Sequence, residues 1–171
     1  MPGLLDELVD TMTKENDIYR ELIPIASEKT RIIIKNDLTA LQEVTDKEQL
    51  VIERINTLER KREEVIVNIG NVLSLDPKSL DMKTLIRLLG KQPKEQAKLT
   101  RVHDDLAATL KQLVVINDRN KVLIEQSLEM IDFNMNLLQS SRRMPGGNNY
   151  TKSAGEETFG GTGTRMFDAK Q

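Results

Sequence analysis

Few residues in this chain could do covalent chemistry. His103 is the single histidine of 171 residues, and there is no cysteine. A carboxylate-bridged metal site on a helical scaffold needs Glu-x-x-His pairs, and the position three before His103 is Thr100. No Gly-x-Ser-x-Gly elbow is present to carry a nucleophile, and no Gly-x-x-x-x-Gly-Lys-Ser/Thr loop to cradle phosphate. Gly160-Gly161-Thr162-Gly163 follows no strand pattern and opens no helix, so it reads as tail rather than phosphate loop. His103 itself reads as an exposed polar residue at a helix edge. The sequence therefore offers no enzyme and calls for no cofactor. What it does offer is amide chemistry. Asn117 and Asn120 are spaced to share a helix face, where leucine would be expected.

The element that must carry them is long. From Gln92 to Met144 only Pro93 could interrupt a helix, and it stands at the start; glycine is absent. Leu99, Val102, Leu106, Leu110, Leu113, Ile124, Leu128, Ile131, Met135 and Leu138 recur at helical spacing. About 50 helical residues span about 75 Å, too long to hide in a globule. Such a helix must lie along others or overhang them. Its apolar stripe predicts either pairing with a second copy when free or a folded-back bundle, because an exposed stripe of that length would aggregate. A buried amide without a partner costs about 1–3 kcal/mol. The asparagines on the stripe therefore either fix register inside a bundle or bond to a partner helix. Replacing both with leucine is expected to keep or raise stability.

Upstream, a first helix is predicted from Leu4 to Lys35, with Leu5, Leu8, Met12, Tyr19, Leu22, Ala26 and Ile33 inward. Pro24 is expected to kink it or end its first half. Asn36-Asp37 marks a break, followed by a short piece carrying Leu38, Leu41 and Val44. Thr45-Asp46-Lys47-Glu48 has the form of a capping box, opening a second long helix to Leu73. In it Ile52, Ile55, Leu58, Val65, Ile69 and Val72 face inward, with Glu48 and Arg62 snorkelling at the stripe's edge. Asp76-Pro77 starts a turn, Asp81 caps a short helix through Leu89, Gly90 ends that helix, and Pro93 begins the last one. Arg142-Arg143 suits its negative end.

Composition agrees with an all-α fold: 38% apolar, 3% aromatic and 30% charged residues. The expected architecture is an elongated antiparallel bundle of three long helices plus short helices, coiled-coil-like, over residues 1–144. A flexible glycine-rich tail over 145–171 should follow, since six of the nine glycines lie there. Three of the five aromatic residues also lie in the tail, Tyr150, Phe159 and Phe167, as candidates for docking elsewhere. A net charge of −2 gives no reason to expect nucleic acid. No apolar run nears the ~20 residues of a membrane span, so no membrane insertion is expected. The opening Met1-Pro2-Gly3-Leu4-Leu5-Asp6-Glu7 lacks the form of a signal peptide, which sets the expectation of a cytoplasmic chain.

Over residues 5–140 the sequence resembles the FlgN-like flagellar export chaperones. The N-terminal part of the resemblance is Glu21-Leu22 and Lys29 ahead of Leu41, then Thr45-Asp46-Lys47-Glu48-Gln49-Leu50 and Leu58-Glu59-x-x-Arg62. Its most specific part is Asn117-x-x-Asn120-x-x-Leu123-Ile124-Glu125-Gln126-Ser127-Leu128. The resemblance implies a cytoplasmic helical chaperone whose last helix binds the C-terminal helical segments of hook-associated (hook–filament junction) proteins. It implies cargo-binding roles for Asn117, Asn120, Leu123, Ile124, Leu128 and Ile131, and the stripe extends these to Asn134, Met135 and Leu138. It also implies delivery to the cytoplasmic domain of the export gate, for which Tyr150 is the first docking candidate, with Phe159 and Phe167 secondary. The rival reading is a structural coiled-coil or bundle protein that self-assembles through the same stripe.

Overall fold

The computed structural model describes residues 2–142, and those residues form an all-helical bundle. Helix α1 spans Pro2–Ile34 and α2 spans Leu38–Leu73. A 3-10 turn at Pro77–Ser79 leads to the short α3, Met82–Leu88. A second 3-10 turn, Leu89–Lys91, leads to α4, Pro93–Arg142, which is 50 residues long.

Local chemistry sets most of these limits. Asn36 takes a left-handed φ of 54°, which asparagine tolerates better than most residues. Asp37 then caps α2 by accepting from the Ala40 amide at 3.0 Å. At the far end of α2, Ser74 is left-handed and the Leu75 amide returns to the Gly70 carbonyl at 2.9 Å. A β-carbon at Gly70 would come within 3.2 Å of the Leu75 oxygen and the Pro77 ring, so glycine lets the chain fold back tightly there. Asp76 and Asp81 cap the next two elements through Lys78 and Thr84, as their positions predict.

Three local signals act differently from their simplest reading. Of the two outcomes expected at Pro24, the end of the first half of α1 is not seen; the helix runs through it, with the ring on an exposed side. Thr45 does not open a helix, because α2 is already formed at Leu38. Its hydroxyl instead donates to the Leu41 carbonyl one turn back at 2.8 Å, the bond a mid-helix threonine makes when no free amide is near. Gly90 stands just past α3 as expected, but inside a 3-10 turn that continues from the helix rather than at a free end.

Consecutive long helices run antiparallel, so α1 and α4, first and third, run parallel. α1 is central and packs on both others. Its contacts with α2 are pinned by Glu15–Arg62, Glu21–Arg54 and Lys29–Glu48 ion pairs. Its contacts with α4 are pinned at two levels. The Thr109 hydroxyl donates to Asn16 Oδ1 at 2.6 Å, and Asn120 Nδ2 donates to the Ala26 carbonyl at 3.0 Å. The sequence separations of these pairs are 93 and 94, a nearly constant parallel register.

The core is thickest where α3 closes the bundle. There Leu5, Leu8, Met12, Val65, Ile69, Leu80, Leu85, Leu89, Leu99, Val102 and Leu106 pack together. Each such side chain contributes about 1.5–3 kcal/mol by leaving water. Midway, a smaller cluster of Ile18, Val51 and Ile55 holds α1 to α2. Val72, expected inward, is exposed near the end of α2. Nearer the α1–α2 turn Ala26, Ile33 and Val44 are buried as well.

Candidate functional site

That turn is where α4 outlives its neighbours. Carried forward, the parallel register brings the last residue of α1, Ile34, level with about Leu128 of α4. Beyond it α4 continues for about 15 residues, roughly 22 Å at the usual helical rise. Upstream, Leu99, Val102, Leu106, Thr109, Leu113 and Asn120 are buried. Leu123, Ile124 and Ser127 are half-buried, and every residue from Leu128 to Arg142 is exposed. Leu128, Ile131, Met135 and Leu138 are 51–60% exposed in a row at helical spacing. The expected stripe is thus real as a pattern and split in use. Its first half is bundle core except at Leu110, which was expected inward and is exposed at the edge of the covered face, and its second half is an unpartnered apolar surface.

The two asparagines part company. Asn120 is 3% exposed and turns into the bundle. Its amide donates to Ala26 and its oxygen accepts from the Thr30 hydroxyl, so α1 satisfies it. Asn117 is exposed on the outside of α4. The two stand about 60° apart on the helix, and at this level α1 covers only the Asn120 side. Asn120 is a register lock between parallel helices. Asn134 stands exposed on the overhang. Tyr150, Phe159 and Phe167 lie outside the described residues.

Electrostatics concentrates in the α1–α2 seam. Glu15 is fully buried, with one carboxylate oxygen 3.1 Å from Arg62 and the other without a hydrogen-bond partner. Burial holds its carboxyl above the ordinary value of 4.5, partly countered by the Arg62 charge, with Glu59 adding to the rise. Tyr19 donates to Glu59 at 2.7 Å, and burial with that bond pushes the phenol far up. Arg62 is therefore no snorkelling edge residue but the partner of a buried acid. Glu48, read the same way, pairs with Lys29 at 3.4 Å. Hydrogen bonding from the Thr84 hydroxyl and from its backbone amide holds the Asp81 carboxyl below its ordinary value, as a helix cap should. His103 is partly buried and lies 3.5 Å from Asp104. Among the described residues no cluster of His, Asp and Glu could hold a metal ion.

The geometry is that of a rigid bundle offering one bare helix end. The family model described as FlgN protein matches residues 1–158. The chain belongs to the FlgN family. Neither the curated proteins nor the solved structures give a match. FlgN proteins are flagellar export chaperones for hook-associated proteins, and they are not enzymes. Among the described residues no helix is long and apolar enough to cross a membrane. The residues that carried the resemblance to FlgN in the N-terminal half have structural work: Glu21, Lys29, Glu48, Glu59 and Arg62 are the polar pairs of the α1–α2 seam.

Sequence reasoning missed Glu15, which sits in an amphipathic helix among many acids and looks solvated. It also missed Met130, Phe133 and Leu137, all exposed on the overhang. Their signal was available as a second apolar series at three- and four-residue steps.

Proposed function

We propose that the end of α4 is the cargo-binding surface of this chaperone. Leu128, Ile131, Met135 and Leu138 take the C-terminal helical segment of a hook-associated protein, with Leu123 and Ile124 at the shoulder where the bundle ends. Asn134 and Asn117 meet polar groups of that segment, and Asn120 contributes by fixing the rotation of α4. The observation that carries this reading is the apolar stripe running on past the end of its neighbours. A subunit exported unfolded exposes apolar helix-forming ends, and an amphipathic helix can cover their anchors. Burial of apolar area at about 25 cal/mol per Å2 offsets the ordering of the segment. Release follows docking at the export machinery and needs no nucleotide.

Three finer statements accompany this reading. The chaperone works in the cytoplasm. Without cargo, the bare helix ends of two copies shield one another in a weak homodimer that cargo displaces. Tyr150, with Phe159 and Phe167 behind it, docks on the cytoplasmic domain of the export gate, since a tyrosine ring offers a large apolar face and a polar tip at small entropic cost.

Titration calorimetry with a purified hook-associated protein tests the surface. Leu128→Asp and Ile131→Asp should each weaken binding at least tenfold with the helical circular dichroism unchanged. If both bind like the parent, the cargo surface lies elsewhere. Tyr150→Ala should leave cargo binding intact and reduce gate binding or secretion; if secretion survives that change and truncation after Met144, the tail has no docking role.

A further inference from the structure

The overhang of α4 is apolar on two sides. At about 100° per residue, Leu128, Ile131, Met135 and Leu138 fall within an arc of roughly 80°. That arc continues the line of Leu99, Val102, Leu106 and Leu113, so it is the side α1 would cover if α1 were longer. Met130, Phe133 and Leu137 fall within a second arc of roughly 60°, centred about 150° away. The two sides are equally bare: 51–60% exposed on the first and 57–61% on the second. A helix that meets one partner helix needs one stripe. Two nearly opposite stripes on the same four turns need cover from both sides.

The strips between them are unlike. Glu125, Glu129 and Asp132, spaced four and three apart, fall on one flank with Asn136 between the stripes; Ser127, Asn134 and Ser141 fall on the other. From Leu123 to Ser141 there is no lysine or arginine. Within this stretch a second copy brings no opposite charge, and Lys121 and Arg142 lie only at its two ends. Antiparallel copies would set acidic flank against acidic flank, and parallel copies would set it against serine and asparagine. A partner with basic residues bordering its apolar stripes would match the acidic flank.

We propose that the overhang is gripped between two amphipathic helices of one cargo molecule, a helical pair with Lys or Arg on the edges that meet Glu125, Glu129 and Asp132. This rests on the reading of the overhang as the cargo surface and adds the form of the cargo. One helix of the pair occupies the Leu128–Leu138 side, in line with α1, and the other covers Met130, Phe133 and Leu137. A linked pair brings both covers in a single binding event, which two separate helices would not.

The test titrates each purified full-length hook-associated protein of the same cell against the full-length chaperone and against Ile131→Asp, Phe133→Asp and a Glu125→Lys, Glu129→Lys, Asp132→Lys variant. All the altered residues are exposed except in so far as cargo covers them, and circular dichroism verifies the fold. The proposal expects at least a tenfold loss of affinity from Ile131→Asp and from Phe133→Asp alike, a 1:1 complex by light scattering, and a similar loss from the charge reversal. If Ile131→Asp loses affinity while Phe133→Asp and the charge reversal match the parent, the cargo surface stands and the two-helix grip is overturned. If Phe133→Asp only turns a dimer into a monomer, with cargo affinity unchanged, the second side belongs to another copy and the grip is again overturned. If no variant loses affinity, the cargo reading falls together with the grip.

Discussion

The two ends of α4 have the same spacing of apolar residues and opposite fates. Between Leu99 and Asn120 the stripe is buried against its neighbours except at Leu110 and Asn117, and its buried polar residues, Thr109 and Asn120, are each hydrogen-bonded across the seam to α1. From Leu128 onward the same stripe faces water. Nothing in the helix itself changes at Leu128. What changes is that α1 stops at Ile34 and the α1–α2 turn has been passed. Amphipathic periodicity therefore records that a face is to be covered without recording by what. The boundary between core and interface is set by the length of a different helix.

This comparison predicts a large separation between stability and binding. Leu99 is fully buried in the main cluster, so Leu99→Ala should lower stability by about 2–5 kcal/mol through lost burial and the cavity left behind. Ile131→Ala should change stability by no more than about 0.5 kcal/mol, as exposed positions do. Urea denaturation of the two variants checks this. Equal losses would mean that the overhang is folded against the bundle in solution, and the division of α4 would collapse.

A smaller effect separates the asparagines. Asn120→Ala removes two bonds to α1 and some buried volume, and should cost about 1–3 kcal/mol. Asn117→Ala, on the exposed side, should gain a few tenths of a kcal/mol from helix propensity. The sequence-based expectation for leucine at both positions treated them as equivalent; thermal melts of the single alanine variants, opposite in sign, would show that they are not.

How far the sequence could lead follows from these residues. The helices, their order and the all-α class were legible because apolar spacing and the Asn36-Asp37, Asp76-Pro77 and Asp81 signals are local. The capping box at Thr45 misled because a box is only a pattern of side chains, and the helix around it was already propagating from Asp37. The inward turn of Asn120 and the burial of Glu15 were not legible, since each depends on what stands opposite on another helix. The second side of the overhang was legible in principle. Met130, Phe133 and Leu137 were passed over because a helix is usually read for one stripe.

The smallest effect concerns what the supported end tolerates and the overhang does not need. Glu15 is buried in the α1–α2 seam with one oxygen unpartnered, facing Arg62, Glu59 and Tyr19. Burial raises its carboxyl above 4.5, so the folded chain holds that proton more tightly than the unfolded chain does. Its contribution favours folding at and below pH 4.5 and is lost as pH rises through the raised value. Glu15→Gln keeps an oxygen for Arg62, whose side chain is 28% exposed and still meets water, and removes the titration. The variant should therefore gain on the parent as pH rises from 4.5, reaching a constant modest advantage above the raised value, while its affinity for a hook-associated protein stays unchanged. Urea midpoints for both proteins across that range measure the difference. A parent that instead gains on Glu15→Gln as pH rises would show that the Arg62 attraction outweighs burial, reversing the sign and making the seam's buried pair a net source of stability.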